Sequence, residues 1–174
     1  MQFDLEYKSV DENKWKELRR NIKEENEYYW NTNRIPDGYY QAKVIACDIL
    51  DNPMECALKD EEVSDTFLVD NTRPAILNLK TSIDPNSLDL HGRPGHTLII
   101  SGVAKDEMCN ITDIQYSINS GDWQTAFPKD NIFDSKEESF LLKIPYISSE
   151  EHSVVINAVD AEDNIGSSRI VFNP

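Results

Sequence analysis

One stretch decides the fold: Tyr40-Gln41-Ala42-Lys43-Val44-Ile45-Ala46-Cys47-Asp48. Its pattern recurs in the second half of the chain as His152-Ser153-Val154-Val155-Ile156-Asn157-Ala158-Val159-Asp160. In both stretches small or apolar residues alternate with longer or polar ones. A period of two places one set of side chains on a core and the other toward solvent, so each stretch is predicted to be a β-strand. Each also leads into an Asp-Asn pair, Asp51-Asn52 in one half and Asp163-Asn164 in the other.

The repeat extends toward the start of each half. Leu5-Glu6-Tyr7-Lys8-Ser9-Val10 is followed after a polar turn by Trp15, and Ile114-Gln115-Tyr116-Ser117-Ile118 is followed by Trp123. Such self-similarity indicates one supersecondary unit used twice. Further strands are predicted at residues 63–69, 75–80, 97–103, 139–144 and 169–172. Short strands at this spacing favour an all-β chain of antiparallel sandwiches.

Residues 14–27 carry a competing signal. Trp15, Leu18 and Ile22 fall at helical spacing in a charged stretch, which is typical of an amphipathic helix. The matching segment of the second half contains Pro128 and has the pattern of a loop. We therefore favour strand and loop here, with at most a helical turn, over the amphipathic helix.

The segment Asp70-Asn71-Thr72-Arg73-Pro74 is predicted to be a short stiff linker, because proline holds the preceding residue extended. It divides the chain into a first immunoglobulin-like sandwich at 1–70 and a second at 71–174, which has roughly the 100 residues that such a sandwich needs. The first module lacks counterparts of 75–80 and 97–103 before Tyr7. We expect its opening strands to lie in a longer protein of which this chain is a fragment, or else to come from elsewhere.

The composition limits the possible partners. The formal net charge of −15 argues against nucleic acids and anionic membrane surfaces. No apolar run of about 18 residues is present, so membrane insertion is not expected, and the N-terminus lacks the pattern of a signal peptide. The cysteines leave the redox compartment open: either Cys47 and Cys56 close a small loop and Cys109 is single, or all three are unpaired.

Several motifs resemble those of tandem bacterial immunoglobulin-like modules of the fibronectin type III-like kind. The resemblance rests on the Pro36-Asp37-Gly38 turn, the strand led by Tyr39-Tyr40, the Ala46-Cys47-Asp48 ending and the linker at 70–74. In the second half it rests on Tyr116-Ser117-Ile118, Trp123, Ile132-Phe133-Asp134-Ser135 and the stretch 158–164. Similar modules occur near the C-termini of large exported bacterial proteins, sometimes after β-propellers. The resemblance therefore implies an extracytoplasmic location, in the periplasm or at the cell surface. Asp163 departs from the pattern, which usually has glycine there.

No residue pattern indicates catalysis. The three histidines, His91, His96 and His152, are not accompanied by a nucleophile elbow. The six glycines are scattered and form no phosphate-binding loop. We expect neither catalytic nor cofactor-binding residues, and a chain that is not an enzyme.

Calcium is the one metal that the sequence brings into consideration, because hard cations take several oxygen ligands. Oxygen-bearing side chains cluster after the repeated strands and in the linker; the candidates are Asp48, Asp51, Asn52, Asp70, Asn71, Asp160, Glu162, Asp163 and Asn164. The competing interpretation is that these Asp and Asn residues only cap turns. No contiguous calcium-loop motif is present, so capping is favoured.

The expected function is that of a non-catalytic tandem module, a structural spacer or protein-interaction scaffold of a larger exported bacterial protein. Its partners would be other domains of that parent protein or another protein. One alternative is an adhesin module that binds carbohydrate or protein through exposed aromatic side chains. Another is an accessory domain of a hydrolase whose catalytic part precedes this chain.

Overall fold

A computed structural model of the chain describes residues 1–23, 27–50, 52–53, 57–88, 94–145 and 151–173; the side chains of 86–88 and 94–96 are not described. Within these ranges every regular element is a β-strand and every strand pair is antiparallel. The prediction of an all-β antiparallel fold is therefore confirmed. No helix in these ranges could cross a membrane. The chain divides into two compact units, Met1–Asn71 and Thr72–Pro174.

The first unit is one sheet. Its strands are β1 (Gln2–Ser9), β2 (Lys16–Ile22), β3 (Gly38–Cys47), β4 (Lys59–Val63) and β5 (Phe67–Val69). Their order is β2-β1-β3-β4, and β5 also pairs with β3. Directly paired residues share a face, so Phe3, Leu5 and Tyr7 lie on the same side as their partners on β3, namely Ala46, Val44 and Ala42.

The structure decides between the two interpretations of residues 14–27. Lys16–Ile22 forms strand β2 beside β1, so the preference for strand over helix is confirmed. The apolar spacing that resembles a helix arises in an irregular strand: its register with β1 shifts twice, and Asn21 has a φ of 59°.

The single strand predicted at 63–69 is wrong, because β4 ends at Val63 and β5 begins at Phe67. Ser64 lies between them and interrupts the ladder. Its amide donates to the Ala42 carbonyl at 2.9 Å, and its hydroxyl oxygen accepts from the Ala42 amide at 2.9 Å. The side chain thus replaces a backbone acceptor at the point where the two strands separate.

The second unit is a two-sheet sandwich. Its strands are β6 (Ala75–Leu88), β7 (Pro94–Lys105), β8 (Ile111–Ile118), β9 (Gln124–Thr125), β10 (Glu137–Pro145), β11 (His152–Asp160) and β12 (Ile165–Phe172). One sheet has the order β10-β7-β6 and the other β12-β11-β8-β9. The two sheets enclose one apolar core, which includes Leu98, Ile100, Phe140, Leu142, Ile114, Val154 and Ile156.

Each unit contains one sheet with the same order of strands. The order β2-β1-β3-β4 of the first repeats the order β9-β8-β11-β12 of the second, and a tryptophan precedes both edge strands, Trp15 before β2 and Trp123 before β9. Aligning Tyr40–Asp48 with His152–Asp160 makes Val44 equivalent to Ile156. Val44 pairs with Leu5 on β1, and Ile156 pairs with Tyr116 on β8. Nothing in the described part of the first unit corresponds to the sheet β10-β7-β6.

A tyrosine anchors the start of β3. The Tyr40 hydroxyl donates to the Pro36 carbonyl at 2.7 Å, four residues upstream. Burial of the ring raises the pKa of Tyr40. A tyrosine that bonds back to the preceding turn in this way is a hallmark of the corner between two strands in immunoglobulin-like sandwiches.

Candidate functional site

The apolar face of the first sheet is exposed at a position where its counterpart in the second unit is buried. Val44 lies at its centre and is 40% exposed, whereas Ile156, its equivalent in the second unit, is completely buried. The sheet β10-β7-β6 covers Ile156 within a closed core. The same strand pattern therefore gives a core position in one unit and a surface position in the other.

An aromatic cluster covers one end of this face. The Trp30 ring lies 4.6 Å from the Tyr7 ring and 6.1 Å from the Phe67 ring, measured between centroids. Tyr40 completes the cluster, 6.4 Å from Trp30. Tilted and edge-on aromatic pairs at these distances are stabilising, so the segment around Trp30 is fixed against the sheet at this end.

The rest of the face forms an open groove of about 500 Å³. Its lining is mainly apolar and comes from β1, β2, β3 and the segment before β3, including Phe3, Leu5, Leu18, Ile22, Tyr28, Trp30 and Val44. A contiguous apolar surface rimmed by polar residues is typical of an interaction site on a soluble protein. Glu27 supplies an acidic side chain to the rim of this groove.

The opposite face of the same sheet carries charged side chains that form ion pairs with one another. Lys43 is buried there and pairs with Glu6 at 2.9 Å and with Glu61 at 3.5 Å. The hydrogen bond to Glu6 raises the pKa of Lys43. The Lys43 ammonium also lies 4.8 Å from the centre of the Trp15 ring. Trp15 thus packs over a salt bridge.

The calcium candidates that follow the repeated strands form two similar turns. Asp48 accepts from the Asn52 side-chain amide at 2.7 Å and from the Leu58 amide at 2.7 Å. Asp160 accepts from the Asn164 side-chain amide at 3.0 Å and from the Glu162 and Asn164 backbone amides, both at 2.9 Å. Through these bonds Asp48 and Asp160 cap the turns that follow the two strands. Turn capping is the interpretation that the sequence favours.

Of the remaining candidates, Asp163 lies in the second turn, where its amide donates to the Asp160 carbonyl at 3.3 Å. Asp163 is exposed and has a φ of 62°, so the aspartate adopts the left-handed conformation that glycine adopts most easily. Asp70 is buried directly after β5, and Asn71 donates to the Thr32 carbonyl at 3.1 Å. Asp51 lies outside the described residues.

Asp106, which the sequence analysis did not single out, lies beside Asp160. Carboxylate oxygens of the two residues are within 4.8 Å of each other. Asp106 directly follows β7 and Asp160 ends β11. They are far apart in the sequence, so only the sandwich topology brings them together.

Among the histidines and cysteines, the structure describes the side chains of His152, Cys47 and Cys109. His152 opens β11, is buried, and its Nδ1 lies 3.0 Å from the Asn119 side-chain amide. His91, the His96 side chain and Cys56 lie outside the described part of the chain, so the pairing of Cys47 with Cys56 stays a prediction. Cys47 and Cys109 are both buried.

No protein-family model matches the chain, and neither a curated protein nor a solved structure is significantly similar to it.

Proposed function

We propose that the chain is a non-catalytic scaffold made of immunoglobulin-like modules of the fibronectin type III-like kind. It would belong to a larger bacterial protein that acts outside the cytoplasm. The first module would use the apolar face around Val44 to bind a two-stranded β-ribbon from another segment of that parent protein. The observation that carries this proposal is the exposure of Val44, 40% against zero at the equivalent Ile156.

The second unit supports the assignment of module type. Its described strands form antiparallel sheets of three and four strands around one core, as expected for an immunoglobulin-like sandwich. The Tyr40 corner supports the same assignment for the first unit.

The second unit also supports the chemistry of the partner. Its equivalent face is covered through the antiparallel pair β6–β7, on which inward-facing Leu98 and Ile100 are fully buried. A ribbon with the same alternation of apolar residues would fill the groove over Leu5 and Val44 and remove their apolar surface from water.

Thiol labelling provides the test. Val44→Cys places a thiol on the apolar face, and Val63→Cys is a matched control because Val63 is 39% exposed and pairs with Lys43 on the opposite face. Both should react readily with a maleimide in the 174-residue chain, as read by peptide mass spectrometry. In the parent protein, labelling at position 44 should slow by more than about tenfold and labelling at 63 should not, because a ribbon excludes solvent from one face only. Equal labelling of both positions in the parent protein contradicts the proposal.

A further inference from the structure

We propose that the second unit binds a calcium ion between Asp106 and Asp160. This proposal does not rest on the proposed function of the first module. The two side chains are 3% and 0% exposed, and their carboxylate oxygens lie within 4.8 Å of each other. Two oxygens at this separation can both reach one cation, because Ca–O distances are about 2.3–2.6 Å.

One oxygen in this pair has no partner. Asp106 Oδ1 accepts from the Met108 amide at 2.7 Å and the Cys109 amide at 2.9 Å. Asp106 Oδ2 is buried and forms no hydrogen bond. A buried carboxylate oxygen without a partner is costly and uncommon in native proteins. A bound cation supplies the missing interaction.

The charge of the pair points the same way. Neither Asp106 nor Asp160 forms an ion pair with a lysine or arginine within the described ranges. Two buried carboxylates this close repel each other unless a positive charge lies between them. The amide hydrogen bonds hold both groups in fixed positions, so the site is preorganised for that charge.

Calcium fits better than magnesium. An ion at this depth must exchange most of its water for protein oxygens, which calcium does readily in flexible geometry and magnesium does reluctantly. Asp160 also belongs to the turn that the sequence indicated as a calcium candidate. The fold adds Asp106 as the second acidic ligand.

The test is a titration of the metal-free chain with CaCl2, followed by calorimetry and by the melting temperature of the second unit. We expect heat of binding and a rise in melting temperature of at least about 5 °C at about 10 mM CaCl2. MgCl2 at the same ionic strength should have a smaller effect. Absence of both heat and shift with CaCl2 overturns the proposal without any variant.

Asp106→Asn keeps an oxygen that can accept from Met108 and Cys109 but removes the charge and the unpaired oxygen. It should weaken calcium binding more than about tenfold, because ligand charge sets the affinity of such sites. Asp163→Asn is the matched control: it removes one charge from the exposed turn after β11, and asparagine tolerates the φ of 62° there. It should leave the affinity within about twofold. Equal losses in the two variants would mean that calcium only screens the acidic surface, and would overturn the proposal.

Discussion

At the scale of single residues, Gly166 has the closest neighbour of the glycines that the structure describes. A Cβ built on it would lie 1.7 Å from the Pro74 carbonyl oxygen. Backbone cannot move aside as a flexible side chain can, so we expect Gly166→Ala to lower the free energy of unfolding of the second unit by about 3 kcal/mol or more. Urea denaturation measures the loss. Ser168→Ala on the same strand is the control and should change stability by less than about 1 kcal/mol; a similar small effect at 166 contradicts the prediction.

The hairpin between β8 and β9 gives a prediction of the opposite sign. Asn119 and Ser120 have φ angles of 50° and 61°, and the Gly121 amide donates to the Ile118 carbonyl at 2.8 Å. This is the geometry of a type I′ turn, for which Asn-Gly is the preferred pair. Ser120→Gly should therefore stabilise the second unit by about 0.5–1 kcal/mol, because glycine adopts a positive φ without steric cost.

Ser120→Ala is the control for that turn. Alanine removes the hydroxyl but keeps the Cβ, so it should give no gain in the same urea denaturation. If alanine stabilises as much as glycine, the backbone conformation is not the cause.

At the scale of elements, the Tyr40 corner makes stability depend on pH. Burial raises the pKa of Tyr40, so the folded state holds this proton more tightly than the unfolded state. The contribution is fully present below about pH 10 and is lost as the pH rises through the raised pKa. Tyr40→Phe should cost about 1 kcal/mol at neutral pH through the lost bond to Pro36, and should flatten the alkaline decline in stability.

Thermal unfolding at a series of pH values from 8 to about 11.5 measures this decline. Tyr29→Phe is the control, since Tyr29 is 86% exposed, and its alkaline profile should match that of the unchanged chain. A Tyr40→Phe profile that declines as steeply as the unchanged chain would contradict the role of the Tyr40 proton.

Sequence periodicity predicts the strands well where one face is covered or where the repeat supplies a second copy. It finds β3 and β11, and the repeat correctly favours a strand at residues 14–27. It fails at Ser64, because a serine that hydrogen-bonds to the adjacent strand ends the ladder without changing the alternation. The cluster of Asp and Asn residues after the repeated strands points to Asp160 but not to Asp106, because the proximity of these two residues depends on how the fold places β7 and β11.

At the scale of the whole molecule, the two units differ in how much core they contain. Of the seventeen buried hydrophobic residues in the described part of the chain, four lie in the first unit: Ile22, Tyr40, Cys47 and Val69. Burial of apolar surface is the main favourable term in folding. The two equivalent sheets belong to cores of unequal size, so the free energy of local unfolding should differ between them.

Native-state hydrogen exchange measures that difference on a matched pair of strands. Central strands β3 and β11 are each paired on both sides, so hydrogen bonding alone predicts similar protection. We expect the amides of β11 to exchange at least about a hundredfold more slowly than those of β3, which corresponds to roughly 2.7 kcal/mol. Equal protection would mean that the apolar face of the first sheet costs no stability when uncovered. In the parent protein a ribbon over Val44 should raise the protection of β3 toward that of β11, because it would close the first core in the way that β6 and β7 close the second.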